Sequence, residues 1–328
     1  MKEMEFPGLA GVLVGHAGDD RAATGCTVVL CEGGATAGVD VRGGAPGTRE
    51  TDLLNPVNLV DKIHAVCLAG GSAFGLDAAS GVMRFLDERG MGFDVGVAKV
   101  PIVCGAVLFD LAVGDPGVRP DAEMGYRACL QASDGPPIQG SVGAGTGATV
   151  GKAMGMARAM KGGLGCAGLE VGDLRVGALV AVNCLGDVVD PETGGRLAGL
   201  RTRDGGSLED SEVALAERGG EAGDLFAGNT SLGVVITNAA MTKAGASKVA
   251  SMAHDGFARS MRPAHTLVDG DTIFALSVGD VPFDRNAVGF LAAKVVGMAV
   301  VSAVMNARTL AGVPARSDLF GDRGREGT

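Results

Sequence analysis

A net charge of −10 on 328 residues, from 28 basic and 38 acidic side chains, gives this chain no reason to hold a polyphosphate. With one Tyr, 11 Phe and no Trp it also lacks the stacking surfaces of single-strand binders, so no nucleic acid partner is expected. The 56 glycines, more than double the usual ~7%, follow no Gly-X-Y period and accompany 46% apolar residues, which excludes collagen and disorder and leaves ample material for a core.

Length allows one large domain or two ordinary ones. The N-terminus has no basic region followed by a long apolar stretch, so no signal peptide is expected. Residues 26–42 hold two β-branched runs separated by Gly33-Gly34, which predicts a hairpin. Asn55-Pro56 reads as an N-cap and first helical position, opening a short helix toward His64, followed by a strand at 65–69. Ser72 is expected to cap a helix with Phe74, Ala78, Val82, Phe85 and Leu86 on one face, stopped by Gly90. Strands near 99–111 and 177–184 are apolar on both faces and belong in the middle of a layered fold.

Residues 201–228 turn Gly-rich and charged and read as a surface linker. The segment 230–238 then predicts a core strand, Thr242 caps a helix running toward Arg262, and Pro263 stops it. Another strand covers 272–279 and a long helix 284–308, whose Lys294 and Asn306 favour a buried helix over a membrane span. The polar tail 311–328 reads as frayed. Seven scattered cysteines, without a C-x-x-C pair and mostly inside apolar runs, read as buried reduced thiols of a cytoplasmic protein.

Several motifs fail on inspection. The glycine-rich segment 143–152 would need Gly at 146 and Ser or Thr at 153 for a P-loop, but has Thr146 and Ala153. A dinucleotide fingerprint there lacks a preceding strand and a following acid, so the segment reads as a tight turn and no cofactor is expected. Lys152 at its end is either a solvated charge, the reading sequence favours, or a cation aimed into a cleft. Ser72 lacks the glycine of a nucleophile elbow, and four histidines without metal-ligand spacing nominate no metal site.

The junction Asn229-Thr230 carries more. A hydrophilic stretch ends in Gly-Asn, and a hydroxyl residue opens an apolar strand. The bland reading is a loop-to-strand junction. The sharper one is an N-terminal nucleophile: Thr230 attacks the Asn229 carbonyl, the ester hydrolyses, and the freed α-amine, with an ordinary pKa of about 7.7–8.0, serves the same hydroxyl as general base. Asp269-Gly270-Asp271 can place two carboxylates on one face of an extended chain, although Asp-Gly is also a common turn and that reading has precedence on sequence alone. Two acids so close raise at least one pKa unless a cation such as Lys152 compensates.

TGCTVVLCEGGATAGVDVRGGAPGTRETDLL, AVCLAGGSAFGLDAASGV, GSVGAGTGATVGK, GALVAVNCLGDVVDP and GNTSLGVVITN together resemble the L-aminopeptidase/D-esterase (DmpA-like) family of self-processing N-terminal nucleophile hydrolases, which includes β-aminopeptidases and nylon-oligomer hydrolases. The resemblance runs from about Gly8 to Leu310. It implies an α+β fold, a four-layer αββα sandwich of the DmpA/ornithine acetyltransferase type. One hydrolase domain, 1–328, would self-cleave into an α chain, 1–229, and a β chain, 230–328. It further implies a small peptide or amide substrate and a homo-oligomer of αβ units, without a membrane partner. Residue by residue, Thr230 aligns with the nucleophile, Asn229-Thr230 with the processed bond and Asn183 with the oxyanion asparagine. Lys152, Asp269 and Asp271 match the nylon-oligomer type and would orient and charge-balance the Thr230 amine. Phe109 departs from the pattern, standing where several members carry a Tyr. The leading expectation is aminopeptidase-type amide hydrolysis. A nylon-oligomer hydrolase, an acyltransferase of the ornithine acetyltransferase kind and an unprocessed binding protein are the alternatives.

Overall fold

The computed structural model describes residues 1–6, 8–218 and 228–321. Its central feature is a ten-stranded sheet made of β1 (Lys2–Met4), β2 (Val12–Asp19), β3 (Thr24–Val41), β4 (Thr48–Arg49), β5 (Lys62–Ala69), β6 (Val103–Val107), β7 (Gly163–Val171), β8 (Leu174–Val182), β9 (Leu232–Ala239) and β10 (Thr272–Val281). The order is β1-β7-β8-β9-β10-β3-β5-β6-β4, with β2 on the other edge of β3. The 18-residue β3 is the seam. Its first half pairs with β2 and β5, its second half with β10, and the register with β5 shifts between Leu30 and Ala35. The Gly33-Gly34 hairpin expected from sequence is therefore a break within one strand, where the chain passes from one layer to the next.

Successive side chains of β3 show the layering. Val28 and Leu30 pack with Ala65 and Cys67 under helices α1 (Ala78–Asp87) and α2 (Ala122–Leu130). Val29 and Cys31 join Val66, Leu68 and Cys104 of the same layer and Leu179, Leu232, Val234 and Phe274 of the other. On β8, Ala178 and Val180 point the opposite way from Leu179, into the cluster formed with two long helices, residues 243–260 and 285–305. The period-2 alternation thus serves two cores at once, which is why these strands read as unbroken apolar runs. The result is helices, sheet layer, sheet layer, helices, as the αββα expectation has it.

Several local expectations change. Asn55-Pro56 opens no helix: a single 3-10 turn, Asp52–Leu54, precedes it, and His64 lies within β5. Ser72 caps nothing through its side chain but sits at φ +55° in a 3-10 turn, and Phe74 is exposed. Gly90 does stop the helix, at φ +62°. The charged segment after Arg201 is not wholly linker, since it contains α3 (Ser211–Glu217), capped by Asp210, which accepts from the Glu212 and Val213 amides; its residues 219–227 lie outside the described residues. Thr242 caps α4 (Lys243–Ser260) as expected, accepting from the Gly245 amide. Asp284 likewise caps α5 (Arg285–Met305). By length and composition α5 could cross a membrane, but it lies largely inside the fold. A Cβ on Gly165 of β7 would fall 2.1 Å from the Ala299 carbonyl, so that glycine permits the close docking of α5. The tail expected to fray includes α6 (Arg316–Phe320), and 322–328 lie outside the described residues.

Candidate active site

Strand register assembles the site. β9 runs parallel to β10 with Leu232 opposite Thr272, and antiparallel to β8 with Leu232 opposite Ala181. The residues just beyond these pairs are Thr230, Gly270 and Asn183, so three strand ends converge. The Thr230 amide donates to the Asn183 carbonyl (2.9 Å), and the Gly270 amide donates to Thr230 Oγ1 (2.9 Å). A Cβ on Gly270 would lie 2.7 Å from that oxygen, so only glycine admits the contact. Thr230 itself stands at φ +135°, a conformation that a β-branched residue adopts at a cost of about 1–3 kcal/mol. That strain sits on the residue following the Asn229-Thr230 bond.

Lys152 is buried, which removes the solvated-charge reading, and its ammonium lies against three acceptors. It donates to the Asn183 carbonyl (3.0 Å), to Asn183 Oδ1 (2.9 Å) and, at very short range, to the Gly228 carbonyl. Asn183 Oδ1 also accepts from the Thr149 amide (2.9 Å), while Nδ2 donates to the carbonyls of Phe109 (3.0 Å) and Gly228 (3.1 Å). Donors on one side and acceptors on the other fix the amide's orientation. The Gly228 carbonyl therefore occupies two converging donors, Lys152 Nζ and Asn183 Nδ2. Burial pushes the Lys152 ammonium down to about 7, opposed by Cys184 and by Asp269, Asp271 and Asp110. Three acceptors match the three N–H donors of an ammonium, so we read it as charged.

Both aspartates are buried, 1% exposed, which excludes a turn with solvated acids. Asp271 Oδ1 accepts from the Ser231 amide (2.7 Å), and Oδ2 accepts from the His265 amide (3.1 Å) and lies 2.9 Å from His265 Nδ1. Asp269 Oδ2 accepts from the Thr266 amide (3.1 Å) and hydroxyl. Burial first and Asp271 second raise Asp269 to about 6. The glycine-rich turn at 43–45 packs directly on this pair: the Arg42 amide donates to the Asp271 carbonyl (2.9 Å) and the Ala45 amide to the Asp269 carbonyl (2.7 Å). Neither carboxylate bonds to Thr230 directly; they frame it through Ser231 and Gly270.

The structure thus brings Thr230, Asn183 and Lys152 into one hydrogen-bonded group, with Asp269 and Asp271 at the adjoining strand end. Phe109 enters by its backbone carbonyl, its ring lying beside Gly228. Sequence reasoning missed His265, Thr149 and Ser231, which hold the others in place. Their only sequence signal was position: Ser231 next to Thr230, Thr149 three residues before Lys152 and His265 six before Asp271. Among the described residues no cluster suited to a metal ion occurs.

The layered fold thus brings a hydroxyl, an amide, an ammonium and two carboxylates to one set of strand ends. Residues 8–317 match the family model described as Peptidase family S58. Over 325 residues the chain is 44% identical to an uncharacterised aminopeptidase of Mycobacterium tuberculosis (strain ATCC 25618 / H37Rv), covering 91% of this chain and 90% of the relative. It is 34% identical over 281 residues to a 6-aminohexanoate-oligomer endohydrolase of Kocuria sp. (strain KY2), covering 84% of this chain and 75% of the relative. The L-aminopeptidase D-Ala-esterase/amidase of Ochrobactrum anthropi, a variant of the Ntn hydrolase fold, superposes with a TM-score of 0.71 at 19% identity, covering 96% of this chain and 91% of that one, a likeness of fold. The chain belongs to peptidase family S58. It is a peptide-bond hydrolase of the aminopeptidase type.

Proposed function

We propose that this peptidase activates itself by cleaving Asn229-Thr230 and then hydrolyses small peptides or peptide-like amides through an acyl-enzyme on Thr230. The observation that carries the reading is the strained Thr230, with its hydroxyl oxygen already fixed by the Gly270 amide and its α-nitrogen at the junction. In self-cleavage Oγ1 bonds to the Asn229 carbonyl carbon, the C–N bond breaks, and the hydroxyl proton passes to the Thr230 nitrogen. Water then hydrolyses the ester and releases the Asn229 carboxylate.

In the same reading, departure of the new α-chain end removes the Gly228 carbonyl from Lys152 Nζ and Asn183 Nδ2. Those two donors become available to the carbonyl oxygen of a substrate, where negative charge develops. The Thr230 amine takes the proton from its own hydroxyl and delivers it to the leaving amine. Asp269 and Asp271 keep the electrostatics of the pocket balanced against Lys152 and the amine. The uncleaved chain would then be inhibited by its own backbone, a role for Lys152 and Asn183 distinct from any in chemistry.

A second reading, hydrolysis of aminohexanoate oligomers, is favoured by Lys152, Asp269 and Asp271 standing together with a Thr nucleophile and by the named activity of the Kocuria relative. A screen of aminoacyl p-nitroanilides, β-peptides and aminohexanoate oligomers separates the two. Acetylornithine with glutamate, assayed for acetylglutamate, reports acyl transfer. We also expect the αβ units to assemble into a homo-oligomer, as the resemblance to the L-aminopeptidase/D-esterase family implies. Sedimentation velocity tests this. Denaturing electrophoresis with intact mass tests the core proposal: fragments ending at Asn229 and starting at Thr230 support it, and an active chain that stays at 32.7 kDa overturns it.

A further inference from the structure

The glycine-rich segment that fits no nucleotide motif walls two different places. Its end, Thr149 and Lys152, reaches the catalytic group. Its beginning, from Ser141 to Thr146, lines an open cleft of about 880 Å³ that Thr230 does not line. This volume lies within the range of small-molecule sites.

One buried group in that cleft is left unsatisfied. His16, 9% exposed, has its Nδ1 3.0 Å from Thr27 Oγ1, and its Nε2 is buried without a hydrogen-bond partner. Thr27 Oγ1 accepts from the Ala144 amide (3.0 Å), and among the described residues His16 Nδ1 is the one acceptor within reach of its own proton, so the hydroxyl donates to Nδ1. The imidazole is thereby held as the Nε2–H tautomer, a donor awaiting an acceptor. Burial pushes His16 down to about 4, so the ring is neutral. Gly143 makes the arrangement possible: at φ +54°, a Cβ there would fall 2.2 Å from Thr27 Oγ1 and 2.9 Å from His16 Nδ1.

Charge around the cleft is opposite to that of the chain. Arg308 is committed to Asp20 (2.6 Å), whereas the guanidinium groups of Arg21 and Arg127 form no ion pair among the described residues. Asp19 is spent on its own loop, accepting from the amides of Arg21 (2.8 Å) and Ala22 (3.0 Å). Three arginines against two aspartates leave one net positive charge on the lining, which balances a carboxylate and not a phosphate dianion.

We propose that this cleft is a second ligand site, separate from the catalytic centre, that takes the carboxylate of a small molecule such as an amino acid or short peptide, with His16 Nε2–H and the Arg21 and Arg127 guanidinium groups as its donors. The inference does not depend on self-cleavage or on the role of Thr230.

Calorimetric titration of the full chain with N-acetylglycine tests it, alongside glycinamide, which lacks the carboxylate, and inorganic phosphate. The expected result is saturable binding of N-acetylglycine alone, weakened about tenfold or more by Arg127→Ala and by Arg21→Ala, as for loss of a charge-assisted hydrogen bond. Both substitutions are on exposed side chains, and turnover of an aminoacyl p-nitroanilide should stay within about twofold, since neither residue belongs to the catalytic group. No saturable binding at millimolar concentration, binding unchanged in both variants, or equal binding of phosphate would each overturn the proposal. Competitive inhibition of the peptidase by N-acetylglycine, insensitive to the two variants, would place the ligand at Thr230 and overturn it too.

Discussion

Lys152 and Lys161 are both buried, both point their ammonium groups at backbone carbonyls, and burial holds both down to about 7. They differ in what they hold. Lys161 donates to the carbonyls of Thr146 (2.7 Å) and Ala148 (2.8 Å), which belong to the glycine-rich segment and have nowhere to go. Lys152 holds the carbonyls of Asn183 and Gly228, and Gly228 lies two residues before the threonine hydroxyl fixed by Gly270. Burial and a lowered pKa therefore do not separate Lys152 from Lys161; on the proposed cleavage, a partner that self-cleavage removes does. Four predictions turn on that contrast, from the largest expected effect to the smallest.

Thr230→Ala should abolish both the chain break and peptidase turnover, while Thr230→Ser retains part of each; electrophoresis and a p-nitroanilide assay read both. Asn183→Ala should lower kcat by about 10²–10³, the usual cost of one oxyanion donor. A loss of the same size in the rate of chain cleavage would tie Asn183 to both reactions.

Lys152→Met and Lys161→Met then break the pair. Lys152→Met should slow processing and turnover with the fold retained by circular dichroism. Lys161→Met should instead destabilise the fold by about 1–3 kcal/mol, because the buried carbonyls of Thr146 and Ala148 lose their donor. Urea unfolding midpoints measure the second effect. Equal loss of stability in both variants would remove the distinction drawn here.

The smallest effect concerns pH. Asp269, raised to about 6, is ionised only above that value, and the Thr230 amine is a base only above its ordinary pKa of about 7.7–8.0. Since both must be deprotonated while Lys152, held down to about 7, acts as the ammonium, log kcat/KM should peak between about 7 and 8, fall with slope one below about 7 and steepen toward two below about 6. A slope that stays at one down to pH 5 would show that Asp269 need not be ionised.

The layers were legible in the sequence because the strands near 99–111 and 177–184 are apolar on both faces, and only a covered sheet needs that. The helix cap Thr242 announced itself by residue type. Gly33-Gly34 misled because a strand that changes layers and a strand that turns back use the same local signal; only the partners, β5 and β10, decide. At the site, Thr230, Asn183, Lys152 and the two aspartates were reached through motif and resemblance. His265 was not, because its link to Asp271 depends on a loop with His265 at φ +57°, and residue type carries no trace of that. Lys152 was weighed as solvated since a lone lysine after glycines is usually so; its three acceptors come from elements far away in sequence.

The central claim is that Thr230 becomes an N-terminus. Intact mass spectrometry of the purified chain, with N-terminal sequencing, tests it most directly. The account predicts two chains, one ending at Asn229 and one starting at Thr230, with activity appearing as they accumulate. A chain that hydrolyses amides while the Asn229-Thr230 bond remains whole would contradict it.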